Sequence, residues 1–244
     1  MALNQMNEEL NDAFQTYFPP LGRAQKIFYS ALTSGILRSV RAHRKLFRGK
    51  RMVNERVIEY PYIFQRIRPG VKVLDIGCVS SRLPIQLASL GHEAHGIDVQ
   101  NYPFTHQNFH FHKEDIFQWN PAEKFDSIIL LSTIEHFGLG GYGDLVVEDP
   151  DTKAIERIAG WLNHGGQMLV TTPFGKPGQT SKHRIYNRAR LKRVFPDDKF
   201  IWKDERYFQR IHGDWMPSSE EKLRQIESRS YPVNGVIFLD LEKK

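Results

Sequence analysis

Residues 71–98 read VKVLDIGCVSSRLPIQLASLGHEAHGID, and this stretch decides the fold. Val71, Val73, Leu74 and Ile76 form a short apolar run rich in β-branched residues, the pattern of a strand buried in a parallel sheet. Gly77 breaks the run, and Ser80 or Ser81 can cap a helix that carries Leu83, Ile85, Leu87, Ala88 and Leu90. Gly91 stands where a helix-ending glycine is expected, and a second strand follows at 94–99. The product is a βαβ unit with an acid, Asp75 or Asp98, near the end of each strand. That is the layout of a nucleotide-type site at the carboxyl edge of a sheet.

Working outward, residues 55–68 read as a helix with Val57, Ile58, Ile63 and Ile67 turned inward, closed by Pro69-Gly70. Residues 108–112 form a strand in which Phe109 and Phe111 alternate with His110 and His112. Two histidines on one strand face could chelate a metal. No carboxylate or cysteine partner is close in sequence, so the expectation is an edge strand with solvent-facing histidines and no metal site. Further strands are expected at 127–131 and 167–171, the second ended by Pro173, with a helix at 152–162 between them. A basic helix at 188–194 and two late strands, 199–207 and 235–241, complete the pattern.

These segments resemble the class I S-adenosylmethionine-dependent methyltransferases. The resemblance rests on Asp75-Ile-Gly77-Cys-Val-Ser-Ser81 with Asp98 after the next strand, then HKEDIFQW, FDSIILLSTIEHFGLGGYGD and GGQMLVTTPFG in that order. It implies an α/β, Rossmann-like, seven-stranded and mostly parallel sheet with helices on both faces, finished by an antiparallel pair. It also implies S-adenosyl-L-methionine as cofactor. In that family the acid after the second strand, here Asp98 with Val99 beside it, takes the ribose diol. Asp115 and Ile116 would meet the adenine. Asp75, Gly77, Cys78 and Ser132 would lie along the methionine end. The family's turn carries three glycines at alternate positions, whereas this chain has Gly77, Val79 and Ser81. A dinucleotide needs the second glycine for close backbone approach to a pyrophosphate. S-adenosylmethionine has no phosphate there, so the departure counts more against an NAD-dependent oxidoreductase.

His136, just past the fourth strand, is the candidate catalytic base, with a structural histidine as the competing reading. Tyr142 and Asp144 in the glycine-rich loop, and His183, Arg184 and Tyr186 further on, are candidate substrate-binding residues. The STIEHFGLGGYGD and HRIYNRARL segments resemble a small-molecule branch active on sugars, polysaccharides and secondary metabolites. That implies transfer to a hydroxyl or amine of a small acceptor, a sugar or a phosphate-bearing metabolite among them.

The chain has 244 residues and a net charge of +6. Nine Lys and Arg, and no acid, lie between Arg23 and Asn54, while the first 22 residues hold three acids and no base. Removing these from 34 basic and 28 acidic residues leaves 25 of each, so the basicity belongs to one arm. Two units follow: a basic helical extension or lid over 1–54 and a methyltransferase domain over 55–244. The arm, read as an amphipathic helix at 22–47, is a lid, a peripheral contact of residues 23–51 with an anionic membrane, or a solvated basic face. A nucleic-acid or anionic-surface binder with a non-catalytic Rossmann-like domain is the alternative function, although no Asn-Pro-Pro-aromatic motif of amino-directed nucleic-acid methyltransferases is present. The single cysteine allows no internal disulfide, and no apolar run reaches spanning length, so a cytoplasmic protein is expected.

Overall fold

Helix α1 (Arg56–Arg66) leads into the expected βαβ unit, formed by β1 (Lys72–Ile76), α2 (Leu83–Ser89) and β2 (Glu93–Asp98). The structure is a computed structural model and describes residues 35, 53–140, 149–180, 183–227 and 233–244. The basic arm at 23–51 lies outside the described residues except for Gly35, and Tyr142 and Asp144 lie outside them altogether. Met52–Lys244 forms one compact unit.

After β2 come β3 (Phe109–Lys113), β4 (Phe125–Leu131), α3 (Pro150–Trp161) and β5 (Leu162–Pro173). The short β6 (Gly178–Gln179) and β7 (Arg184–Ile185) pair only with each other. The chain continues through α4 (Arg188–Val194), β8 (Phe200–Ile211), β9 (Asp214–Pro217), α5 (Glu220–Leu223) and β10 (Gly235–Lys243). The main sheet runs β3-β2-β1-β4-β5-β10-β8-β9. Its first five strands are parallel, while β10 is antiparallel to both β5 and β8. The sheet has eight strands where seven were expected. The addition is β9, which turns back on the end of β8 through His212 and Gly213, both with positive φ.

Alternation along the strands sends side chains to two apolar layers. Leu74 and Ile76 face one layer with Ile155 and Ile158 of α3 and Leu191 of α4. Val73 and Ala94 face the other with Ile63 of α1 and Leu83 and Leu87 of α2. Helices therefore cover both faces, as parallel strands require. One expectation fails in α1: Val57 is 56% exposed, and the helix instead buries Glu59, Tyr62 and Ile63. The stripe is displaced because Glu59 has partners inside, described below. Among the described residues, no helix is long and apolar enough to cross a membrane.

Candidate active site

Parallel pairing brings the carboxyl ends of β1, β2, β4 and β5 to one edge of the sheet, and a cleft of about 830 Å³ opens there. Its first wall is the turn after β1. Gly77 has φ of +74°, and a Cβ at that position would stand 2.5 Å from Thr133 Cγ2. Glycine is thus required twice, by the backbone angle and by the close approach of the segment after β4. Val79 lines the cleft without filling it.

Asp98 ends β2 and faces the cleft. The Val79 amide donates to its Oδ2 at 3.0 Å and the Gln100 amide to its Oδ1 at 2.9 Å. Two backbone donors thus fix the carboxylate plane, and each oxygen retains acceptor capacity for a ligand hydroxyl. Val99, Asp115 and Ile116 line the same end, joined by Phe117 and Glu114. Asp115 Oδ1 accepts the Phe117 amide at 2.8 Å, holding the turn after β3.

Ser132 lines the opposite end with φ of +48°, an angle that non-glycine residues rarely adopt. Strain here is offset by bonds. Its amide donates to Thr171 O and Oγ1, at 3.1 and 2.9 Å, and its hydroxyl donates to Glu59 Oε1 at 2.6 Å. Thr171 Oγ1 donates to the same Glu59 oxygen at 2.6 Å, and Arg56 Nη1 donates to Glu59 Oε2 at 2.7 Å. Glu59 is fully buried, whereas Arg56 also lines the cleft. The carboxylate therefore anchors a cation at the cleft floor.

His136 ends a short 3₁₀ turn (Ile134–His136) and lines the cleft, with its Nε2 4.0 Å from Glu135 Oε1. Glu135 is buried, and burial pushes its carboxyl up to about 8, although Thr172 donates to Oε2 at 3.1 Å. His183 lines the cleft too. Thr180 Oγ1 lies 3.2 Å from its Nδ1, and its buried Nε2 has no partner among the described residues. Burial, with His136 nearby, lowers the pKa of His183, so the ring is neutral near pH 7.

The structure brings together Gly77, Asp98, Val99, Asp115, Ile116, Ser132, His136 and His183 around one cleft. Four other candidates face inward instead. Asp75 is 1% exposed under the turn, its carboxyl pushed up to about 8 chiefly by burial, with Asp98 adding and Arg56 opposing. Cys78 is fully buried beside Gly96, and burial raises its thiol pKa, which leaves it a packing residue. Arg184 is spent on backbone, donating to Phe137 O at 2.6 Å. Tyr186 donates to Asp151 Oδ2 at 3.0 Å within the core. Arg184 and Tyr186 are therefore corrected from substrate contacts to supports of the cleft wall. Arg56 and Glu59 were missed from sequence, since nothing local distinguishes them from an ordinary i,i+3 pair on a helix surface.

Residues 104–205 match a family described as "Caenorhabditis protein of unknown function, DUF268". No curated protein matches the chain's sequence at a significant level. Solved structures do resemble it. One is a 1,6-didemethyltoxoflavin-N1-methyltransferase from Burkholderia thailandensis, holding 1,6-didemethyltoxoflavin and S-adenosylhomocysteine. It is 14% identical, with a TM-score of 0.54 and 92% of each chain covered. The N-methyltransferase NodS of Bradyrhizobium japonicum is 14% identical with a TM-score of 0.50, over 78% of this chain and 99% of that one. An S-adenosylmethionine-dependent methyltransferase of Mesorhizobium loti is 11% identical with a TM-score of 0.52, over 75% of this chain and 97% of that one. At such identities the likeness establishes the fold alone, a Rossmann-like fold that these methyltransferases share.

Proposed function

We propose that the chain is an S-adenosyl-L-methionine-dependent methyltransferase that acts on a nitrogen or oxygen atom of a small molecule. The observation that carries this reading is Asp98, a cleft-lining carboxylate whose two oxygens are clamped by the Val79 and Gln100 amides. A vicinal diol presents two adjacent donors, and one fixed carboxylate can accept both.

The other lining residues fit the remaining parts of such a cofactor. Asp115, Ile116 and Phe117 offer an acid and two apolar walls for an adenine. Arg56, held by Glu59, offers a guanidinium for the amino-acid carboxylate. Gly77 lets the turn after β1 pack against Thr133 at the cleft wall, because any side chain there would collide with it. When bound, the cofactor supplies an electrophilic methyl group on a sulfonium.

The protein's remaining task is to align the acceptor, exclude water and receive a proton. His136 and His183 border the cleft, and an imidazole in that position can accept a proton from the acceptor. An oxygen acceptor needs such a base, whereas an amine needs only to arrive unprotonated. Two similar structures are N-methyltransferases by name, which supports nitrogen as an acceptor atom beside the hydroxyl that the sequence favours. A sugar or related hydroxylated metabolite is the acceptor we would try first. The test is calorimetry with S-adenosylhomocysteine on the full chain. Micromolar binding supports the reading, and no heat of binding overturns it.

A further inference from the structure

The outer strands β2 and β3 carry a cluster of side chains that the cleft does not use. In their parallel register His95 stands opposite His110, with Glu93 two residues earlier on β2 and His112 two later on β3. The two-residue period of a strand puts all four on one face. One ligand atom each from Glu93, His95 and His110 lies within 4.8 Å of the others. His95 Nε2 is 3.2 Å from Glu93 Oε1, while its Nδ1 is 3.1 Å from His112 Nε2. The His95 and His112 rings stack at 6° and 5.4 Å, and His112 packs on Trp119 at 4.7 Å.

We propose that Glu93, His95 and His110 bind one divalent transition-metal ion of the zinc, nickel and copper group, with His112 orienting His95 from behind. Two imidazoles and one carboxylate are a mixed nitrogen and oxygen set. Such sets suit borderline ions rather than calcium or magnesium, which require oxygen shells. The two nitrogens of His95 already face different partners. Ligation through Nε2, on the Glu93 side, puts the ring proton on Nδ1, where His112 Nε2 accepts it. A second-nitrogen bond of this kind fixes both tautomer and ring direction at metal sites.

Zinc bonds of about 2.0–2.1 Å need ligand atoms roughly 3.3 Å apart, so the cluster must contract. Glu93 and His110 are exposed side chains able to turn inward, with the partly buried His95 as the fixed point. Lys72 Nζ also holds Glu93 Oε1 at 2.8 Å, but it pairs with Glu123 as well and keeps that partner when Glu93 turns to an ion. A bound ion would fasten the edge strand β3 to β2.

The test uses the untagged full chain, stripped with a chelator and titrated with Zn²⁺ at pH 7.5. One equivalent should bind, and Zn²⁺ should raise the melting temperature by preferential binding to the folded state. His110→Ala and Glu93→Ala remove exposed groups, so they fold. Each should weaken binding at least tenfold and abolish the thermal shift, whereas the exposed His164→Ala should match the parent. No saturable binding in the parent, or a loss below tenfold in both variants, overturns the proposal. The readouts are independent of methyl transfer, so failure here leaves the cleft's assignment untouched.

Discussion

The Val79 amide donates to Asp98 Oδ2 at 3.0 Å, which ties the turn after β1 to the acid that ends β2. Because the turn positions the carboxylate, loss of the acid should affect the ligand far more than the fold. Asp98→Ala is expected to weaken S-adenosylhomocysteine binding by about 100-fold, corresponding to the ~1.5–3 kcal/mol of a hydrogen bond to a charged group. Asp98→Asn, which keeps one acceptor oxygen, should lose less. Calorimetry on both variants, with circular dichroism as the folding control, checks the ordering.

Gly77→Ala places a Cβ where φ is +74° and Thr133 Cγ2 is 2.5 Å away. Both effects act together, and the expected destabilisation is about 2–3 kcal/mol in urea unfolding. Thr133→Ser in the same chain removes the methyl collision but leaves the backbone penalty, so recovery should be partial.

Among the described residues, Arg56→Ala would leave the fully buried Glu59 carboxylate with the hydroxyls of Ser132 and Thr171 as its side-chain partners. Breaking one side of a buried ion pair costs about 3–5 kcal/mol, and the partial exposure of Arg56 puts this case near the lower end. Glu59→Gln in the Arg56→Ala background should restore much of the loss, since a neutral amide needs no cation. Thermal melts of the single and double variants measure the rescue.

Asp75 and Glu135 both have carboxyl pKa values pushed up to about 8, chiefly by burial. Between the ordinary carboxyl value near 4 and about 8 the folded chain holds these protons while the unfolded chain has released them. Their contribution to stability is thus complete below pH 4 and is lost as pH rises toward 8. Asp75→Asn and Glu135→Gln cannot ionise and should flatten the decline in unfolding free energy between pH 5 and pH 8. An unchanged slope in both would contradict the buried, protonated state.

The βαβ unit was legible because its signals are local: the apolar run at 73–76, the break at Gly77 and the stop at Gly91 each act within a few residues. Asp98 was visible as the acid at the end of a strand, whereas Asp115 was implied only by the resemblance, and parallel pairing brings both to the lining of one cleft. What was not legible depends on partners far away in the chain. Glu59 is drawn inward by Ser132 and Thr171, residues separated from it by 73 and 112 positions. Arg184 looks like a substrate contact until Phe137 O is found to occupy it. Strand β3 is the edge strand that the histidine pattern implied, and Glu93 and His95 reach its histidines from the neighbouring strand, a proximity that no pattern along one strand reveals.

Strand β10 separates β5 from β8, yet it follows β8 by more than twenty residues in sequence. During refolding β8 and β9 can zip to each other, but the sheet-facing margin of β8 stays unpaired until Gly235–Lys243 slides into the gap. A chain interrupted before Gly235 would present two raw sheet margins at once, the outer side of β5 and the inner side of β8, and unpaired margins of that kind seed aggregation. The solubility of truncated forms should therefore collapse at this one strand rather than decline gradually with length.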